Sequence, residues 1–149
     1  MKRIALPSTI VAAIIAAAAF AASGSAESPS TTSLHLISTT QESVGFAPNH
    51  DLRPGDRFGT GDIVRGDDSG IDRLTCTVTS KRDALCTAVA QLSKGTLTAQ
   101  SLVSLRPGPA ATHYAITGGT GAYEGASGTA VVTDIPGTTD AAIDVTLLP

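Results

Sequence analysis

Residues 115–132 read Ala-Ile-Thr-Gly-Gly-Thr-Gly-Ala-Tyr-Glu-Gly-Ala-Ser-Gly-Thr-Ala-Val-Val, with five glycines at Gly118, Gly119, Gly121, Gly125 and Gly128. Glycine tolerates positive φ and close backbone approach, so this spacing marks a chain that turns sharply and packs tightly. Short β-prone runs flank the stretch, which makes it the corner of a β-structure. Gly119, Thr120, Gly121 and Gly125 also match the glycine-rich turn that cradles a dinucleotide pyrophosphate. That turn needs a helix directly after it. The next regular run here is Thr129-Ala130-Val131-Val132-Thr133, a poor helix and a good strand. No βαβ unit surrounds it, so a nucleotide site is not the expected reading.

The N-terminal segment constrains the compartment. Lys2 and Arg3 precede an alanine-rich apolar run over residues 10–22, followed by Gly24-Ser25-Ala26. This is the form of a secretory signal, with Ala19-Phe20-Ala21 as the alternative cleavage site. The apolar run is shorter than the roughly 20 residues that span a bilayer. The expected organisation is a signal peptide over residues 1–26, a flexible Ser/Thr/Pro leader over 27–32, and one domain over 33–149. The mature chain is then secreted and has no membrane partner. The whole chain carries a net charge of −3, and losing Lys2 and Arg3 takes it to −5. No basic patch remains to bind nucleic acid, and the aromatic content of 3% leaves little for base or sugar stacking.

The chain has two cysteines, Cys76 and Cys86. If residues 74–80 and 84–92 form a hairpin folded about Lys81, the two face each other directly, close enough to bridge. A disulfide is therefore expected in an oxidising compartment. Neither a redox CxxC pair nor a zinc site fits this spacing, and no metal is expected.

The rest of the chain is a succession of short strand-like runs with Gly, Pro, Asn and Asp between them. Strands are predicted over residues 33–40, 57–64, 71–80, 84–92, 96–105, 112–117, 128–134 and 141–148, with a long connection over 41–54. No segment of the mature chain has a sustained helical stripe. Eight strands joined by hairpin-length connections predict an all-β domain, a single antiparallel up-and-down barrel.

Several residues stand out as site candidates. Asp62 falls within the second strand, either as a buried acid facing the interior or as a rim carboxylate paired with Arg57 or Arg65. Tyr123 either points its hydroxyl into a ligand cavity or covers the glycine corner. Asp67, Asp68 and Asp72 lack the spacing of a calcium loop and read as a solvated turn. Residues 125–128 are not a serine-nucleophile elbow, and His35, His50 and His113 have no acidic partner at a telling spacing.

Three patches resemble the allene oxide cyclase barrel-like superfamily, which includes the plant dirigent proteins. They are the glycine corner over residues 115–128, the run Thr-Leu-Thr-Ala-Gln over 96–100 after Gly95, and Gly55-Asp56-Arg57-Phe58 with Asp62 beyond it. The resemblance implies an eight-stranded barrel whose interior binds a small hydrophobic molecule and orients a reactive intermediate, without metal or organic cofactor. Asp62 stands where dirigent proteins carry an acidic residue. Ser127 replaces the arginine usual in their Ala-Arg-Gly. The glutamate that cyclases carry on the first strand has no counterpart over residues 34–40. A cofactor-independent isomerase or cyclase is the enzymatic alternative, and a secreted structural or interaction module with a filled barrel is the non-enzymatic one. The resemblance also suggests a homo-oligomer.

Overall fold

The computed structural model describes residues 30–45, 51–106 and 111–149. The expected signal peptide, and residues 27–29 of the expected leader, lie outside the described residues. Eight strands run in chain order: β1 (Thr32–Val44), β2 (Arg57–Gly66), β3 (Gly70–Val78), β4 (Asp83–Leu92), β5 (Gly95–Ser104), β6 (Ala111–Gly119), β7 (Gly128–Asp134) and β8 (Asp140–Leu147), with a single 3-10 turn at Gly121–Tyr123. Each strand pairs antiparallel with the next, and β8 returns to β1 from Thr39↔Asp140 to Thr32↔Leu147, which closes the barrel. Closure gives each of the eight strands a paired neighbour on both sides.

Alternation along the strands decides what faces inward. On β3, Cys76 and Val78 are buried while Arg73 and Thr75 are exposed, and on β1 Leu34, Leu36 and Ser38 are buried while Ser33, His35 and Ile37 are exposed. β1 runs four residues past its predicted end. A bulge at Gln41 shifts the register, and Glu42, Ser43 and Val44 then pair with Gly61, Thr60 and Gly59. Residues 41–44 therefore belong to a strand, not to a connection. Their partners lie on β2, beyond any local signal.

The predicted disulfide is present. Cys76 and Cys86 are direct partners in the β3–β4 register, their Cα atoms 4.0 Å apart, and both are buried.

The glycine corner joins β6 to β7 at one end of the barrel. Gly121 has φ of 64°, and Gly128, at φ 145°, lies so close to β8 that a Cβ would collide with the Thr146 carbonyl. At this end the β2–β3 turn, the β4–β5 turn and the corner meet on one carboxylate. Asp68 accepts hydrogen bonds from the Ser69, Ser93 and Lys94 amides, from the Ser93 hydroxyl, and from the Tyr123 hydroxyl at 2.6 Å. Burial opposes its charge, but the Ser93, Tyr123, Ser69 and Lys94 hydrogen bonds outweigh it and hold the carboxyl well below the usual range. Asp68 is thus a buried clasp, not part of the solvated turn expected from its sequence. Three turns that are distant in sequence supply its donors.

Candidate functional site

The interior is not filled. A cavity of about 560 Å³ lies inside the barrel and reaches the β7–β8 turn over residues 135–139. Small side chains create the space: Ala88 and Ala90 on β4, Ala99 on β5 and Ala130 on β7 face inward where larger residues would meet across the lumen. Leu36, Val64, Leu97 and Ile116 make much of the remaining wall apolar.

Two carboxylates interrupt this wall side by side. Asp62 of β2 and Asp72 of β3 are direct register partners and both line the cavity. Asp62 is 8% exposed. Its Oδ2 accepts hydrogen bonds from the Ser38 hydroxyl at 3.0 Å and the Thr60 hydroxyl at 3.2 Å. Its Oδ1, and Oδ1 of Asp72, are buried with no hydrogen-bond partner among the described residues. Burial first, and the negative charge of Asp62 second, push the Asp72 carboxyl up to about 6. Tyr114 of β6 lines the same space, and its hydroxyl is raised by burial and by the charge of Asp72. The arrangement can hold a proton on a carboxyl close to neutral pH and present it to a molecule enclosed by apolar walls.

The predicted site residues are not brought together in one place. Asp62 faces the interior and is held by Ser38 and Thr60. Tyr123 does not line the cavity; it is buried at the closed end, with its hydroxyl on Asp68 and raised to about 12 by burial and that bond. Gly118, Gly119, Gly121, Gly125 and Gly128 build the corner that closes that end. His35 does have acidic partners, on the outside of the barrel: Nδ1 lies 2.7 Å from Asp144, and its amide donates to Asp67 at 2.8 Å. Asp72, expected in a solvated turn, instead lies within β3 and lines the cavity, and the cavity residues not singled out from the sequence are Ser38, Thr60 and Tyr114. A signal for Asp72 was present. A hairpin turn over residues 66–70 sets Asp62 opposite Asp72, and Asp72 alternates in phase with Leu74, Cys76 and Val78.

No metal-binding group of His, Cys, Asp and Glu occurs among the described residues, and none of the described helices is long and apolar enough to cross a membrane. The disulfide fits an extracellular setting.

No family model and no curated protein matches the sequence. Solved structures do. A pyocyanin demethylase is similar at 26% identity and a TM-score of 0.64, over 78% of this chain and 99% of that one. A pterocarpan synthase dirigent protein is similar in fold at 19% identity and a TM-score of 0.57, over 80% of this chain and 88% of that one. The closed eight-stranded barrel and these two likenesses fit the allene oxide cyclase barrel-like, dirigent-like superfamily.

Proposed function

We propose that this chain is a secreted barrel that binds a small, largely apolar molecule in its interior and orients it against the Asp62–Asp72 pair. One observation carries the reading: an apolar cavity of about 560 Å³ with a few convergent polar groups, the form and size of a small-molecule site. The neighbour at 26% identity is named for a reaction on a small molecule, which supports an occupant of that kind. Enclosure holds one face of the ligand toward the carboxylates and excludes water, so a reactive intermediate made elsewhere is committed to one outcome. The signal-like leader and the disulfide support export.

The position of Asp72 near neutral favours a second reading, a cofactor-independent isomerase or cyclase. There Asp72 donates a proton to a ligand atom and Asp62, fixed by Ser38 and Thr60, takes one from another. Both readings require an occupied lumen.

A thermal-shift panel of phenolics, fatty acids and aromatic heterocycles tests this, with Ala90→Phe as the control. At least one compound raises the melting temperature of the wild type and leaves that of Ala90→Phe unchanged, while circular dichroism shows the variant folded. No shift from any class would refute an internal ligand site. Asp62→Asn then separates the readings: it abolishes proton-transfer turnover, while binding persists.

A further inference from the structure

The charges around the cavity all have one sign. Asp62 and Asp72 stand in its wall, Asp134 and Asp140 stand beside the β7–β8 turn, and no lysine, arginine or histidine lines it among the described residues. Those residues include every lysine and arginine of the chain except Lys2 and Arg3. The nearest guanidinium, that of Arg73, belongs to the outer face of the sheet. It donates to the Asp72 carbonyl at 3.0 Å and lies 3.5 Å from Glu42. From β4 only Ala88 and Ala90 face the same space, and from β6 only the uncharged Tyr114 and Ile116. Inside the lumen, the charge that Asp72 faces is therefore that of Asp62.

Two buried carboxylate oxygens without donors are costly, and a second like charge alongside adds to the cost. Natural interiors leave few such atoms unsatisfied. An apolar occupant would bring neither a donor nor a counter-charge to the pair. An anionic one would meet four carboxylates and no counter-charge. The occupant that relieves both defects brings a positive charge and N–H donors to this pair of register partners in the cavity wall. Taking the interior as a ligand site, we propose that its ligand is a small organic cation: an apolar body bearing one protonated nitrogen, held by the Asp62–Asp72 carboxylate pair.

Three matched probes test this on the full chain with its disulfide intact: 1-naphthylmethylammonium, 1-naphthylmethanol and 1-naphthoate, titrated calorimetrically. They share an aromatic body and differ in charge. At pH 7.5 the ammonium binds at least tenfold more tightly than the alcohol, and the carboxylate binds weakest. Because Asp72 releases its proton near pH 6, the competent form rises from about a tenth of the molecules at pH 5 to nearly all at pH 7.5. The ammonium affinity rises about tenfold over that interval, whereas that of the alcohol does not rise. In Asp62→Asn and Asp72→Asn the preference for ammonium over alcohol falls to about threefold or less. Equal or tighter binding of the alcohol or the carboxylate by the wild type at pH 7.5 would overturn the cation and leave the ligand site standing. Binding of none of the three would overturn both.

Discussion

Replacing Asp72 by asparagine is expected to stabilise the empty barrel at neutral pH. In the fold the Asp72 carboxyl is raised from 3.8 to about 6, so the folded chain binds this proton more tightly than the unfolded chain does. For an acid shifted upward, stability declines as pH rises through the window between the two values, and the penalty is complete above the higher one. At 1.36 kcal/mol per pH unit the full penalty is about 3 kcal/mol. Linkage places about half of it below pH 5, where the unfolded carboxyl already ionises, and leaves about 1.5 kcal/mol to develop between pH 5 and pH 7.5. Asparagine keeps the shape and removes the titration. The measurement is urea unfolding of wild type and Asp72→Asn at both pH values with the disulfide intact. The advantage of the variant grows by about 1.5 kcal/mol from pH 5 to pH 7.5, or by roughly 5 °C in melting temperature. Comparing the two proteins cancels the other carboxylates. A difference that does not change with pH would refute the claim that Asp62 and Asp72 strain each other.

The Asp68 clasp predicts the opposite pH behaviour. Its carboxyl is held below the ordinary 3.8, so its contribution is present above that value and lost as pH falls below it. Asp68→Ala therefore costs roughly 3–5 kcal/mol at pH 7 by urea titration, and the variant lacks part of the acid unfolding of the wild type. Opening the Cys76–Cys86 bridge with a reductant, or by Cys86→Ser, frees a loop whose ends are 10 residues apart. Denaturant unfolding should then report a loss of about 2–3 kcal/mol. Gly128→Val places a β-branched residue at φ 145° against the Thr146 carbonyl, and its melting temperature should fall by roughly 10 °C or more, whereas Gly137→Ala, with nothing near its Cβ, should cost much less.

Much of the barrel could be read from local residue patterns. Strand periodicity has a period of two, and the turns carry glycine, aspartate and proline, so the existence of eight strands and their order depend on neighbours within a few residues. The β3–β4 hairpin was fixed by the same local rules, because a short polar turn at Ser80–Asp83 leaves one register and that register faces Cys76 with Cys86. A hairpin argument of the same kind sets Asp62 opposite Asp72, and the inward phase of both comes from alternation.

Local pattern cannot supply any contact that crosses the barrel or its seam. Tyr123 reaches Asp68 from 55 residues away, and His35 meets Asp144 across the closure of β1 on β8. Each depends on the curvature and stagger of the closed sheet, which sum over all eight pairings and leave no mark in any one segment. The continuation of β1 to Val44 depends on the bulge at Gln41 for the same reason. The cavity is tertiary as well. Alanines at 88, 90, 99 and 130 are ordinary strand residues one at a time, and they become a volume when three strands bring them to one lumen. The amino-acid order thus determined the succession of strands and the disulfide, because those are set by short-range sterics and alternation. The empty space and the charge that surrounds it were decided by closure, because only closure brings distant strands to face one another.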